Sequence, residues 1–286
     1  MEQITMDINA SHIAIQGYEG SFHQQAAQNF FGKEITIIAC ANFPELIRNA
    51  EKADVSDAGM MAIENSIAGS ILPNYTLLEK SNLVIVGEVY LPIRHQLMVN
   101  PDVQLDDIRE VHSHYMALLQ CGGYLEQYPH WKLIEAADTA LSAKQIHLQN
   151  NNHAAAIASE SAAELYGMKI IAKDIHSEKN NYTRFLALRR KNEALQISDA
   201  NKASVHFTLD NTKGSLAHIL TMIAEGGVNL SKLQSMPIAG TNFQYAFHID
   251  MEFSQLDIFE KVIEQMKSMT HSLNILGIYK SGILEK

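Results

Sequence analysis

Short apolar runs alternate with amphipathic helical patterns over the first two thirds of this 286-residue chain, and the alternation stops near residue 190. The apolar runs predict strands, and the intervening segments, apolar at every third or fourth position, predict helices. This order favours an α/β architecture with mostly parallel sheets. The predicted strands are 12–15, 35–40, 58–63, 83–89, 96–99, 132–135, 154–158 and 185–188, and the predicted helices are 22–31, 43–53, 71–78, 115–128, 139–148 and 160–166.

The pattern changes after a polar segment at 191–201 (KNEALQISDAN), which lacks periodicity and is typical of a linker. The segments that follow are a strand at 203–209, a helix at 215–224, strands at 228–234 and 243–251, a helix at 256–269 and a strand at 273–279. The order β-α-β-β-α-β is that of a ferredoxin-like domain. The sequence therefore predicts a large part at 10–190, the linker, and a small domain at 202–280.

Charge and composition narrow the classes of function. The chain has 22 Lys and Arg against 32 Asp and Glu, a net charge of −10, and no basic cluster, so nucleic acid is not an expected partner. It has no apolar run of membrane-spanning length and no signal-peptide pattern, which predicts a cytoplasmic protein without a membrane partner. Its cysteines, Cys40 and Cys121, form neither a disulfide framework nor a metal-binding spacing.

The run 181–185 (NYTRF) places a hydroxyl beside a permanent cation at the start of a predicted strand. Arg184 can form a two-pronged hydrogen bond with a carboxylate, and Thr183 can donate to a leaving or developing oxygen. Because side chains alternate across a strand, both residues can serve one site only at its end, where the pleating breaks down. For this run alone, a Thr and an Arg that close a loop remain the alternative.

Two other strand ends carry candidate ligand groups. Gly17 and Gly20 follow the first strand and would let the backbone approach a ligand at a helix N-terminus, although a plain tight turn explains them equally well. Glu64, Asn65 and Ser66 follow the third predicted strand, at the carboxyl edge where ligands bind in open α/β sheets. An ordinary capped helix start is the alternative there.

A further junction at 111–115 (VHSHY) precedes the helix predicted at 115–128. Ser113 is a candidate N-cap for that helix. His112 and His114 could suggest a metal or proton transfer, but the carboxylate partners of a metal site are not evident, and no metal is expected.

Taken in order, these motifs resemble the prephenate dehydratase family. The matching runs are 17–22 (GYEGSF), 63–69 (IENSIAG), 91–97 (LPIRHQL), 113–121 (SHYMALLQC) and 181–185 (NYTRF). The small domain resembles the ACT regulatory domain, on 213–216 (KGSL) and 228–237 (VNLSKLQSMP). The resemblance implies a two-lobed, periplasmic-binding-protein-like catalytic part at 10–190, an ACT domain at 202–280, and a homodimer or homotetramer.

The resemblance also implies an activity, the decarboxylating dehydration of prephenate to phenylpyruvate in phenylalanine biosynthesis. This is a carbon–oxygen lyase reaction driven by aromatisation, so no cofactor is expected. Thr183 would donate to the leaving hydroxyl, Arg184 would hold a carboxylate, and phenylalanine would bind between ACT domains as an effector. The implied residues are Thr183, Arg184, Asn65 and Ser66 for catalysis, Ser21, Ser113, His114, Gln120 and Phe185 for substrate binding, and Gly214, Ser215, Leu216, Asn229 and Leu230 for the effector.

The sequence departs from the family pattern mainly at 234–237 (QSMP), where the family usually has Glu-Ser-Arg-Pro. The lost Arg and Glu predict a weakened or altered response to phenylalanine.

Two other functions stay open. An arogenate dehydratase would need an acidic or carbonyl partner for the substrate ammonium, and a non-catalytic sensor of aromatic metabolites would use Arg184 but not the hydroxyl of Thr183.

Overall fold

The computed structural model describes residues 10–193, 197–238, 240–242 and 244–284. The first lobe comprises β1 (His12–Gln16), α1 (Phe22–Phe31), β2 (Thr36–Cys40), α2 (Phe43–Ala50), β3 (Ala58–Asn65), β4 (Gly69–Ser70), α3 (Leu72–Lys80) and β5 (Leu83–Pro92). The second lobe comprises β6 (Gln96–Val99), β7 (Glu110–His114), α4 (Tyr115–Gln120), α5 (Gly122–Leu125), β8 (Lys132–Ala136), α6 (Thr139–Leu148), β9 (Ala154–Ala158), α7 (Glu160–Leu165) and β10 (Lys169–Ala172). The chain returns to the first lobe as β11 (Tyr182–Arg190).

The C-terminal domain comprises β12 (Lys202–Thr208), α8 (Ser215–Glu225), β13 (Asn229–Pro237), β14 (Tyr245–Glu252), α9 (Leu256–Met269) and β15 (Ser272–Tyr279). This is the β-α-β-β-α-β order that the sequence predicts. Its strands lie in the order β13-β14-β12-β15, which is the ferredoxin-like arrangement. Residues 194–196 of the predicted linker and residue 243 of the predicted strand 243–251 lie outside the described residues.

Each lobe has its own mixed sheet, so the two-lobed α/β class is confirmed. The strand orders are β2-β1-β3-β11-β5 in the first lobe and β10-β6-β9-β7-β8 in the second. The expectation of mostly parallel sheets is wrong, because β11 runs antiparallel to both β3 and β5, and β6 runs antiparallel to both β9 and β10. These are the strands that enter or leave a lobe at the crossings, where the chain reverses direction.

Some boundaries also differ from the sequence prediction. The helix predicted at 115–128 is two short helices, since α4 ends at Gln120 and α5 begins at Gly122, beside Gly123. The prediction missed β7, whose sequence EVHSH mixes polar residues with one valine, and β10, which is four residues long. In the described part of the chain, no helix has the length and apolar composition needed to cross a membrane.

The C-terminal domain packs directly on the first lobe. Met236, Leu276 and Tyr279 belong to the same buried apolar cluster as Ile85 of β5 and Leu186 of β11. A Cβ atom at residue 277, a glycine in β15, would lie 2.3 Å from the carbonyl oxygen of Ile85, so the two backbones are in close contact. The small domain is therefore part of the structure that supports the first sheet.

The loop after β1 contacts the second lobe. Ser159 Oγ donates to the carbonyl oxygen of Gly20 at 2.5 Å, and Tyr166 OH donates to that of Glu19 at 2.9 Å. Gly20 has a φ of 84°, and a Cβ there would lie 2.9 Å from Cα of Ala162. Gly20 thus permits the close approach of α7, a role that the sequence does not predict.

We expect Gly20→Ala to destabilise the protein by about 1–3 kcal/mol, because the new methyl group forces α7 away in addition to straining the backbone. Gly69→Ala is the matched control, since Gly69 has a φ of 81° and a Cβ there meets nothing within 4 Å. Urea unfolding of both variants separates the two effects. Equal losses of stability in the two variants would contradict the lobe contact.

Candidate active site

A cavity of about 440 Å³ lies between the two lobes. The first lobe contributes strand ends and helix starts, and the second contributes the starts of α4 and α6. The lining residues are Gln16, Phe22, His23, Ala41, Asn42, Phe43, Ala62, Asn65, Ala68, Ile71, Ile93, His95, His114, Met116, Ala117, Gln120, Thr139, Thr183 and Phe185. The predicted residues Asn65, Thr183, His114, Gln120 and Phe185 are thus brought together.

Asn65 and Thr183 face each other across neighbouring strands, β3 and β11. The Asn65 amide has a fixed orientation, because its Oδ1 accepts the backbone N–H groups of Ile67 and Ala68 at 3.0 and 2.8 Å. Its Nδ2 therefore donates to Thr183 Oγ1, at 3.0 Å. The Thr183 oxygen is thus an acceptor for Asn65, and no acceptor for its hydroxyl hydrogen lies among the described residues. That hydrogen is available to a molecule in the cavity.

A chain of hydrogen bonds continues from Asn65 into the second lobe. Asn65 Nδ2 donates to Asn181 Oδ1 at 2.8 Å, and Asn181 Nδ2 donates to Gln120 Oε1 at 2.9 Å. Gln120 Oε1 also lies 3.0 Å from His95 Nε2, and because an amide oxygen can only accept, the proton is on Nε2 of His95. The Gln120 NH2 group consequently points away from these two partners and is a donor for a ligand.

Two of the three histidines at the cavity wall, His95 and His23, are neutral. Burial lowers the pKa of His95 to about 4, although the hydrogen bond to Gln120 opposes the shift. Burial lowers the pKa of His23 to about 3. At neutral pH these rings therefore serve as hydrogen-bonding and packing groups without charge.

Arg184 does not face the cavity, so its assignment to a substrate carboxylate is wrong for this structure. The side chain follows the ordinary alternation of β11 and points to the opposite face of the sheet, where it is 5% exposed. Its guanidinium donates to Glu88 at 2.7 Å, to Tyr279 at 3.0 Å, and to Asp250. All three of its nitrogens are paired with protein groups.

Three predicted serines support the backbone and do not line the cavity, so their assignment to substrate contact or catalysis is not supported. Ser113 is buried and donates to the carbonyl oxygen of Ile157 at 2.6 Å. It does not cap α4, which is capped by His114 Nδ1. Ser21 caps α1, and Ser66 donates to the carbonyl oxygen of Asn180 at 3.0 Å.

Three helices of at least eight residues begin at the cavity wall. Phe22 and His23 open α1, Phe43 opens α2, and Thr139 opens α6. Helix N-termini carry partial positive charge, so those of α1 and α2, which are capped by the neutral side chains of Ser21 and Asn42, favour an anion. At α6 the cap is the carboxyl group of Asp138, which accepts from Leu141 N–H. The sequence does not predict His95 or Thr139 as site residues, although His95 lies in the run 91–97 (LPIRHQL) that matches the family.

The predicted effector residues form two separate groups in one chain. Gly214, Ser215 and Leu216 precede or open α8, whereas Asn229 and Leu230 follow it on β13. The 11 residues of α8 span about 16 Å, so the two groups lie at opposite ends of the helix. Among the described residues, no group of three or more His, Cys, Asp or Glu side chains could hold a metal ion.

The fold and the cleft define a two-lobed α/β protein with a ligand site between its lobes and a ferredoxin-like domain behind the first lobe. The family model for prephenate dehydratase matches residues 13–193. A bifunctional chorismate mutase/prephenate dehydratase of Enterobacter agglomerans is 32% identical over 279 residues, 96% of this chain and 71% of that protein. A chloroplastic arogenate dehydratase/prephenate dehydratase of Arabidopsis thaliana is 37% identical over 279 residues, 93% of this chain and 72% of that protein. The chain belongs to the prephenate dehydratase family.

Solved structures agree with this assignment. The prephenate dehydratase of Arthrobacter aurescens in complex with L-Phe has a TM-score of 0.84 and 26% identity, with 94% of this chain and 90% of that chain covered. A second structure, described as a quorum quenching acylase, also has a TM-score of 0.84, with 27% identity and coverage of 94% and 98%. The same overall fold therefore occurs with different described activities.

The neutral His95 makes stability depend on pH. Its folded pKa of about 4 lies below the usual unfolded value near 6.5, so the unfolded chain takes up a proton first as the pH falls. Between pH 7 and pH 5 we expect this group to remove about 2 kcal/mol from the free energy of unfolding.

Urea unfolding of wild type and His95→Gln at pH 7 and pH 5 tests this expectation. The variant should lose less stability than wild type over this interval, by about 2 kcal/mol. His147→Gln, on the exposed side of α6, controls for the loss of a histidine ring. The same pH dependence in wild type and His95→Gln would contradict the assignment.

Proposed function

We propose that this protein is a lyase that converts prephenate to phenylpyruvate in phenylalanine biosynthesis. Prephenate loses one carboxylate as CO2 and its C4 hydroxyl as hydroxide while the ring becomes aromatic. The electron pair of the breaking C–CO2 bond enters the ring, and the pair of the C4–O bond leaves with the oxygen. The observation that carries the proposal is the Thr183 hydroxyl hydrogen, which is available at the cavity wall.

Thr183 would act by donating a hydrogen bond to the departing C4 oxygen. A threonine hydroxyl has too high a pKa to be a free acid, so its role is to stabilise negative charge that develops on the leaving oxygen. Asn65 holds the Thr183 oxygen at 3.0 Å and so directs the hydroxyl hydrogen away from itself. Aromatisation supplies the driving force, and we propose no cofactor.

The substrate carboxylates would be held without Arg184. The N-termini of α1 and α2 supply N–H groups and a favourable dipole, and the Gln120 NH2 group adds a donor. The N-terminus of α6 is already capped by the Asp138 carboxyl group, which accepts from Leu141 N–H at 2.9 Å. Phe185, Ile71 and Ile93 provide apolar walls for the cyclohexadiene ring. In a chain with a net charge of −10, such local groups must overcome an unfavourable overall field.

The rival functions fit this site less well. Among the described residues that line the cavity there is no Asp or Glu side chain to pair with the ammonium of arogenate, which favours prephenate. A sensor would have no use for the directed Thr183 hydroxyl. An acylase using Thr183 would need a base to accept its proton, whereas the neighbour that contacts this oxygen, Asn65, donates to it.

The remaining assignments are part of the same proposal. Residues 10–190 would form the catalytic part, 191–201 the linker, and 202–280 an ACT domain that binds phenylalanine as effector. Because the two groups of predicted effector residues lie at opposite ends of α8, a second copy of the chain would bring them together. A homodimer or homotetramer in the cytoplasm therefore fits the proposal.

The first experiment is phenylpyruvate formation from prephenate by purified protein in buffer containing EDTA. We expect turnover without added metal or cofactor, and a kcat/KM for prephenate well above that for arogenate. Absence of turnover, combined with a rise in Tm on adding prephenate, would support the sensor. A higher kcat/KM for arogenate would overturn the substrate assignment.

Thr183→Ala should lower kcat by ~10²–10⁴, the usual weight of a positioned proton donor, with little change in KM. Thr183→Ser keeps the hydroxyl and should recover most of the lost rate. Thr36→Ala, at an exposed position on β2, is the control for loss of a threonine. If Thr183→Ala kept most of its kcat, the proposed role would be wrong.

A further inference from the structure

The two strands that carry Thr183 and Asn65 have a charged residue next to each of these side chains. Arg184 pairs in register with Glu64 across β11 and β3, beside the Thr183–Asn65 pair. Because side chains alternate along strands, Arg184 and Glu64 lie on the reverse face of the sheet, away from the cavity. That reverse face is covered by the C-terminal domain, which pairs with both residues.

The first pairing joins Lys232 of β13 to the end of β3. Lys232 Nζ lies 2.5 Å from Glu64 Oε1 and 2.7 Å from Ser70 Oγ. Ser70 is on β4, which pairs with β3 at Glu64 itself. Lys232 therefore binds to both β3 and β4 next to Asn65.

The second pairing joins Asp250 of β14 to Arg184. Asp250 is fully buried and is held in place by Ser204 Oγ, 2.5 Å from its Oδ1. Burial alone would raise the pKa of this carboxyl, but the charge of Arg184 and the contact with His248 hold it well below its usual range. Asp250 is therefore ionised. Without its negative charge, the buried positive charge of Arg184 would lose one of its compensating partners.

We propose that Lys232 and Asp250 are positioning residues for the cavity on the other side of the sheet. By fixing Glu64 and Arg184, they set the ends of β3 and β11 and hence the hydrogen bond from Asn65 to Thr183. Asn229 and Leu230 lie on β13. A displacement of β13 would move Lys232 and, through Glu64, would change the positions of Asn65 and Thr183 without involving the second lobe. The inference rests on the proposed function where kcat and inhibition by phenylalanine are the measurements.

The test uses Lys232, because its side chain is 15% exposed and its replacement leaves no carboxylate buried in the core. Lys232→Met should lower kcat about 10- to 100-fold with KM within about twofold, since positioning affects the rate step more than ground-state binding. Lys232→Arg keeps the charge and should restore most of the rate. Lys261→Met, which removes an exposed lysine paired with Asp257 on α9, should behave as wild type.

The coupling to β13 is tested in the same variants. We expect the response of kcat to phenylalanine in wild type, although weakened or altered, to be the same in Lys261→Met and lost in Lys232→Met, which should still bind phenylalanine in calorimetry. Unchanged kcat and unchanged inhibition in Lys232→Met would overturn the proposal. Failure of Lys232→Arg to recover kcat would also count against it, since a positioning charge should be replaceable.

A measurement independent of turnover separates this inference from the proposed function. The side-chain amide signals of Asn65 in ¹⁵N NMR should shift in Lys232→Met and stay in place in Lys261→Met, because the first change releases Glu64 beside Asn65. Asp250→Asn should shift them as well, through Arg184 and Thr183. Unmoved Asn65 signals in Lys232→Met would overturn the positioning role even if wild type turns over prephenate.

Discussion

The alternation of side chains along β11 determines how the three parts of the molecule are connected. β11 is the return strand from the second lobe, and it enters the first sheet between β3 and β5. Thr183 and Phe185 consequently face the cavity, while Arg184 faces the C-terminal domain. A one-residue change of register would exchange these faces, placing an unpaired guanidinium in the cavity and a hydroxyl opposite Asp250.

The buried ion pairs keep that register. Arg184, Glu88, Asp250 and Lys202 are each less than 10% exposed, and their charges alternate in sign around one another. Removing one partner from such a cluster leaves an uncompensated buried charge, which costs about 3–5 kcal/mol. A buried ion-pair cluster of this kind can specify one arrangement of the two domains without adding net stability. It also removes from the cavity the cation that a substrate dianion would otherwise use.

The apolar periodicity of the sequence predicts much of the fold, whereas the sequence motifs predict only part of the candidate site. The amphipathic helices α1 and α9 have the predicted bounds, because their apolar spacing is regular, and α6 has them because Asp138 caps its start. The direction of β11 could not be predicted, since it depends on where the chain returns from the second lobe. Asn65, Gln120 and Thr183 were identifiable as polar groups in ordered motifs. The reverse orientation of Arg184 could not be predicted, because it depends on the regular pairing of β11 with β5 from Tyr182 onward and on the C-terminal domain that supplies Asp250.

The structure shows where the run 234–237, which departs from the family pattern, packs in the protein, and this could not be predicted from its sequence. Met236 is 6% exposed and packs in the apolar cluster with Tyr75, Leu276 and Tyr279, between the C-terminal domain and the first lobe. An apolar side chain is suited to that position, whereas a charged one would need a buried partner. Met236 thus contributes to the packing of β13 against the first lobe. Met236 and Lys232 both join β13 to the first lobe. An altered response to phenylalanine would then have two causes: a changed contact between β13 and the catalytic strands, and the loss of a charged side chain that would bind the effector.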